Sequence, residues 1–296
     1  MSNKQTVFRG SAVAIVTPFC NNVVDYDALG RLIDRQIESS TDAIVICGTT
    51  GESSTLTDEE HRECIRYCVE RVAGRVPVIA GTGSNDTDYA IDLSRYACEV
   101  GADALLLVTP YYNKATPKGL IKSFTAVADA TDKPIILYNV PSRTGVNITL
   151  PVYKELAKHE RIVAAKEASG NISAIAELIA ECGDCLDVYS GNDDQIVPIL
   201  SLGGKGVISV LSNVVPRETH DICQLYFDGK TQDSAKLQLK LLKLANTLFT
   251  SSPPVPKKGA MGLLGLGGEE MRLPLCEMDD ANREKLISVM KSYNLI

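Results

Sequence analysis

Eight short apolar runs recur along this chain at intervals of roughly 30 residues, and that repeat constrains the fold more than any other feature. They occupy residues 12–16, 43–47, 76–80, 104–108, 134–138, 162–165, 186–189 and 206–210. Runs this short and this uniformly apolar suit strands buried on both faces, as in a parallel sheet. Between them lie stretches with helical periodicity. Leu29, Leu32, Ile33 and Ile37 share one face, as do His61, Cys64, Ile65, Cys68 and Val72. Thr57 with Glu60 three residues later reads as a capping box, and Pro151 suits a first helical turn. Strand and helix alternating eight times predict an α/β fold of the (β/α)8 TIM barrel type. An open dinucleotide-binding sheet would want Gly-x-Gly-x-x-Gly after its first strand, where this chain has Val16-Thr17-Pro18-Phe19. After residue 210 the strand patterns stop. Residues 218–227, 231–249 and 283–293 read as helices, and the prolines within 251–256 as a break. The expected organisation is a catalytic barrel over 1–229 and a small C-terminal helical domain over 230–296.

Charge and cysteine usage exclude several function classes. The net charge is −7 and dispersed, with no basic block to hold nucleic acid or an anionic membrane. No apolar stretch approaches the roughly 20 residues that span a bilayer, and residues 1–10 lack a secretory apolar segment. A cytoplasmic location is expected. The 9 cysteines are odd in number and scattered through apolar segments, which suits free thiols in a reducing compartment. Cys182-Gly183-Asp184-Cys185 is a C-x-x-C with no second pair and no nearby histidine. His61, Cys64 and Cys68 offer three donors at most, at a spacing that equally suits a core stripe. No metal site is expected.

In a (β/α)8 barrel the reactive face lies at the C-terminal ends of the strands. The most informative residue there is Lys166, which ends the run 162–165 and precedes Glu167-Ala168-Ser169-Gly170. A lysine ending a buried strand is desolvated, which disfavours its charged form and makes the amine a nucleophile toward carbonyl carbon. The same position also suits a lysine whose stem snorkels to the surface. The neighbouring strand ends in Tyr138, whose hydroxyl can both donate and accept a proton. Thr49 and Thr50, in Gly48-Thr49-Thr50-Gly51-Glu52, offer hydroxyls and backbone N–H groups to a carboxylate. Arg143, in a loop bounded by Pro141 and Gly145, offers a fork to a second carboxylate. Taken singly, each has an ordinary alternative as a packing tyrosine, a turn or a solvated charge. Together they point to imine chemistry on an anionic carbonyl compound.

These motifs, with Tyr111-Tyr112-Asn113, Tyr138-Asn139-Val140-Pro141-Ser142-Arg143-Thr144-Gly145 and Lys166 to Asn171, resemble the 4-hydroxy-tetrahydrodipicolinate synthase (dihydrodipicolinate synthase) family of pyruvate-dependent class I aldolases. The resemblance runs from Phe8 to about Leu275. It implies a lyase without cofactor, in which Lys166 forms a Schiff base with pyruvate and the enamine attacks L-aspartate 4-semialdehyde, the first committed step toward diaminopimelate and lysine. It implies a proton relay of Thr50, Tyr112 and Tyr138, with Tyr112 reaching into the neighbouring subunit's site. Thr49, Thr50, Gly191 and the backbone around Ile208 would hold pyruvate, and Arg143 the semialdehyde carboxylate. A homotetramer built as a dimer of dimers is implied, and Ser53, His61, Asn85 and Tyr111 match the family's lysine regulatory site. Asp58 and Tyr89 depart from it, standing where lysine-sensitive members often carry a histidine and a glutamate. The segment Ser251-Ser252-Pro253-Pro254-Val255-Pro256-Lys257-Lys258 departs from the usual Asn-Pro-Ile-Pro-Val-Lys, with Pro253 in place of the asparagine.

Two other functions fit part of the pattern. A sister aldolase acting on N-acetylneuraminate or a 2-keto-3-deoxy sugar acid would share Lys166 and Tyr138, but Arg143 and the paired threonines favour a short carboxylated aldehyde. A binding protein that keeps the barrel without catalysis would be expected to lack the lysine or the tyrosine, and both are present.

Overall fold

The computed structural model describes residues 4–250, 254–267 and 269–296. Eight parallel strands close into a barrel: β1 (Gly10–Ala14), β2 (Ala43–Ile46), β3 (Val78–Gly81), β4 (Ala104–Val108), β5 (Ile135–Asn139), β6 (Ile162–Glu167), β7 (Asp187–Ser190) and β8 (Gly206–Ser209). Each strand pairs with its neighbours in sequence, and β8 closes onto β1 with Ala12 opposite Ile208. Alternate residues divide between two packed layers, as strand geometry requires. Ala12, Ala14, Ala43, Val45, Ile136, Ala164 and Ile208 pack together inside the barrel. Val13, Ile44, Ile46, Leu105, Leu137 and Ala165 pack outward against the helices.

The apolar repeat therefore predicts the strands, with a shift at the first. The run at 12–16 places β1 two residues late. Ile15 and Val16 are buried but lie past the ladder's regular end, and the Val16 N–H donates to Asn213 Oδ1 at 3.2 Å instead. The helix Asp58–Val72 begins with the expected capping box, Thr57 and Glu60 satisfying each other's backbone N–H groups. Leu150–Leu156 carries Pro151 in its first turn.

Among the described residues three helices escape the periodicity, the first of them the single turn Pro141–Thr144. Ile196–Ser201 is only 6 residues long, too short for a repeat to show. Val255–Leu263 lies where the prolines suggest a break. Pro254 precedes it and Pro256 sits in its first turn, where a missing N–H costs nothing. Ser251, Ser252 and Pro253, including the asparagine-to-proline departure, lie outside the described residues. The C-terminal helices Thr231–Thr247, Val255–Leu263 and Asp280–Ser292 do not form a separate core. Leu241, Leu244, Ala260, Leu286 and Met290 pack with Ile196, Val207 and Leu211 of the last barrel units. The helix Val255–Leu263 is thereby brought to the C-terminal rim of the strands. No helix among the described residues is long and apolar enough to cross a membrane.

Candidate active site

Lys166 sits on β6 two residues after the interior Ala164, so its side chain enters the barrel. It is 4% exposed. Its register partners are Tyr138 on β5 and Tyr189 on β7. The Lys166 Nζ stands 4.1 Å from the centre of the Tyr138 ring. Tyr189 closes the space beneath, stacking on Phe8 at 4.2 Å and donating its hydroxyl to the Phe8 carbonyl at 2.6 Å. Glu167, next on the strand, faces the other way. Its carboxylate accepts from Tyr153 Oη at 2.6 Å, Asn139 Nδ2 at 2.9 Å and Ser169 Oγ at 2.8 Å.

A cavity of about 120 Å³ opens above Lys166. Thr49, Thr50, Tyr138, Arg143, Lys166 and Gly191 all line it, so six sequence-predicted residues from four strand ends meet in one place. Gly191 is required by close approach. A Cβ there would lie 2.7 Å from the Ala168 Cβ and 3.2 Å from the Lys166 Cε. Thr49 and Thr50 belong to a single helical turn, Thr49–Gly51, tied down where Thr17 Oγ1 donates to the Gly51 carbonyl at 2.7 Å. Arg143 rides on the one-turn helix Pro141–Thr144. That turn is anchored through Thr144, which accepts from Thr109 Oγ1 at 2.9 Å, and through Asn139, whose Oδ1 accepts from the Ile148 N–H at 3.0 Å.

Neither Ile208 nor Tyr112 is in the lining of this cavity. The Ile208 side chain is buried in the barrel interior and Val210, two residues on, lines the cavity. Tyr112 is 90% exposed and holds a left-handed φ of 72°. Sequence reasoning also missed Val140, Ser142, Ala168, Asn192, Val210 and Phe249, all of which line the cavity. Phe249 comes from just beyond the helix Thr231–Thr247, a long-range placement that no local pattern signals.

A second cavity of about 380 Å³ shares Thr49, Val140 and Arg143 with the first. It is lined by Ser53, His61, Tyr89 and Tyr111. Asn85 lies beside it, its carbonyl accepting from Asn113 Nδ2 at 2.9 Å. His61 is buried, its Nε2 2.8 Å from the Gly81 carbonyl, and burial pulls its pKa down. Arg62 Nε donates to Asp58 at 2.8 Å, and the arginine holds the Asp58 carboxyl below its ordinary range. Burial, then Asp58, raise Tyr89 to about 12.

The described cysteines carry no disulfide, and among the described residues no group of three or more His, Cys, Asp or Glu is arranged to hold a metal ion. Cys182 and Cys185 close a local turn, Cys185 Sγ lying 3.2 Å from the Cys182 carbonyl.

The model of the dihydrodipicolinate synthetase family matches residues 7–293. The chain belongs to that family. It is 55% identical to the 4-hydroxy-tetrahydrodipicolinate synthase of Clostridium tetani, over 98% of this chain and 99% of that one. The crystal structure of dihydrodipicolinate synthase from Aquifex aeolicus superposes with a TM-score of 0.96 at 47% identity, covering 97% of this chain and 99% of that chain. The dihydrodipicolinate synthase of Cyanidioschyzon merolae, crystallised with lysine bound, superposes at 0.95 and 38% identity over 99% and 100%. This family member is thus a class I aldolase-type lyase of the biosynthetic route to diaminopimelate and lysine.

Proposed function

We propose that the enzyme condenses pyruvate with L-aspartate 4-semialdehyde to give 4-hydroxy-tetrahydrodipicolinate, with the residues of the 120 Å³ cavity in the following roles. The observation that carries this reading is the Lys166 amine, buried against the Tyr138 ring, between the paired threonines and Arg143. Lys166 Nζ attacks C2 of pyruvate, water leaves, and an imine forms. Loss of a C3 proton gives the enamine, whose C3 bonds to the aldehyde carbon of the semialdehyde. The semialdehyde's own amine then attacks C2, closes the ring and returns Lys166 as the free amine. Tyr138 and Thr50 hand protons between these steps, with Tyr112 supplied by a neighbouring subunit.

Thr49, Thr50, Gly191 and the backbone near Ile208 hold pyruvate, and Arg143 holds the semialdehyde carboxylate. Tyr112 supports a shared site. A bulky residue held at a left-handed φ while almost wholly exposed is strain that a partner surface would explain. We take the assembly to be a homotetramer of tight dimers in the cytoplasm, with residues 230–296 as an appendage to the barrel over 1–229. The cavity lined by Ser53, His61 and Tyr111, with Asn85 beside it, is the candidate lysine regulatory site. There Tyr89 and the Arg62-bound Asp58 leave a ligand α-amino group without the usual carboxylate.

The reading is tested by coupled turnover of pyruvate and L-aspartate 4-semialdehyde with a reductase reporting product, alongside borohydride trapping of pyruvate on Lys166. Turnover with trapping is expected. Trapping without turnover would keep the imine and reject the aldehyde.

A further inference from the structure

Two adjacent lysines lie inside the protein on the helix Val255–Leu263, at 0% and 1% exposure. Lys258 is compensated. Its Nζ forms an ion pair with Glu52 Oε1 at 2.5 Å and donates to the Glu270 carbonyl at 2.8 Å. Lys257 is not: its Nζ has no hydrogen-bond partner among the described residues. It stands instead 4.1 Å from the centre of the Phe249 ring. Phe249 lines the reaction cavity, and it also lines an adjoining cavity of about 430 Å³ that holds Asn192, Asp193 and Asp194.

Buried polar groups are nearly always satisfied, so an exception in a fold this well packed calls for a cause. Two charged groups act on Lys257 from the packed elements around it, Arg143 after β5 and Asp193 after β7. On its own helix, Lys258 is matched by Glu52. Asp193 is a poor counter-charge. Burial pushes its carboxyl up toward the neutral form, and its Oδ2 already accepts from the Val210 and Leu211 N–H groups at 3.1 and 2.9 Å. Burial, and then the Arg143 guanidinium, press Lys257 toward the neutral amine, with Asp193 opposing them. A carboxylate on Arg143 reverses the second of these pressures, because it cancels the guanidinium charge and attracts an ammonium.

We propose that Lys257 is a positioning residue for the carboxylated aldehyde, a buried amine behind Phe249 that becomes the ammonium when an anion occupies Arg143 and so favours anionic co-substrates. It does not line the cavity, so it acts through space and through Phe249. The inference rests on the reading that Arg143 holds a carboxylate. It does not depend on the condensation itself.

The test is calorimetric binding of succinate, a carboxylate probe that cannot condense, to the wild type and to Lys257→Met in two buffers of different ionisation enthalpy. The wild type should take up a fraction of a proton on binding. Its affinity should fall as pH rises. Lys257→Met should bind several-fold more weakly with neither effect, while pyruvate trapping at Lys166 is unchanged. Lys257→Gln serves as the second variant should methionine perturb the helix. Equal affinity and equal proton uptake in wild type and variants would overturn the proposal. Absence of succinate binding to the wild type would overturn the anion subsite with it. Failure of the condensation reading appears separately, as loss of coupled turnover in the wild type with succinate binding intact.

Discussion

Lys166 and Tyr138 are register partners on adjacent parallel strands, and the Lys166 Nζ stands 4.1 Å from the centre of the Tyr138 ring. Strand parity aims both side chains into the barrel, and parallel pairing sets them side by side at its C-terminal end. The proposed nucleophile and proton carrier are thus fixed by backbone ladder bonds rather than by a mobile loop.

Replacing Lys166 by alanine removes the only amine lining the cavity among the described residues, so borohydride trapping of pyruvate should vanish. Tyr138→Phe keeps the ring beside Lys166 and deletes the hydroxyl. Trapping should persist while kcat falls by about 10²–10⁴-fold, the usual contribution of a positioned acid–base group. Normal trapping in Lys166→Ala, or a normal kcat in Tyr138→Phe, would reject the assigned roles.

Arg143 should divide the two substrates. A charge-assisted hydrogen bond contributes about 1.5–3 kcal/mol, so Arg143→Ala should raise the aldehyde's KM by roughly 10–100-fold. Pyruvate should still form its imine, because the paired threonines lie on the Thr49–Gly51 turn, away from the arginine's own turn. Steady-state kinetics varying each substrate in turn reads this split. Equal loss for both substrates would remove the carboxylate role.

A shared site makes a prediction that a self-contained site does not. If Tyr112 serves the partner subunit, Lys166→Ala and Tyr112→Phe chains should each be weakly active alone. Coexpressed, they should regain activity, because a mixed dimer places an intact Lys166 beside an intact Tyr112 in one of its sites. No recovery in purified mixed dimers would confine Tyr112 to its own chain.

The Glu52–Lys258 ion pair ties the helix Val255–Leu263 to the residue after the Thr49–Gly51 turn. Both side chains are almost completely buried. Removing one partner of such a pair strands the other charge and typically costs about 3–5 kcal/mol. Lys258→Met should therefore lower the melting temperature by several degrees, and Glu52→Gln added to it should recover part of the loss. Calorimetric melts of the single and double variants decide this; a strictly additive double variant would mean that the pair is not coupled.

The barrel and most of the candidate site are legible because both rest on local pattern. Apolar runs mark strands, and chemistry-bearing residues at strand ends mark the reactive face. What stayed hidden depends on long-range packing. Phe249 reaches the cavity only because the C-terminal helices share a core with the last barrel units. The departure of 251–258 from the family pattern drew attention to Pro253, whereas the consequence in the described residues lies at Lys257, where that pattern has valine. A lysine in a proline-rich stretch reads as exposed. Nothing in the local sequence marks it as the fully buried neighbour of a paired lysine.

Stability should depend on pH through His220, whose Nδ1 lies 2.9 Å from Asp42 Oδ2. The hydrogen bond to Asp42 raises the histidine's pKa above its ordinary 6.5; the charges of Asp42 and Asp221 add to this, and burial and Arg217 oppose it. A folded-state value above the unfolded one means that the folded protein binds the proton more tightly. The stabilisation is then fully present below about pH 6.5 and is lost as pH rises through the higher folded value. His220→Gln should lose this term, so its stability deficit should be largest in mild acid and shrink toward alkaline pH. Denaturant melts of both proteins from about pH 5.5 to 8.5 span the titration. A deficit that stays constant across that range would show that the contact between His220 and Asp42 acts as a neutral hydrogen bond, not as a titrating ion pair.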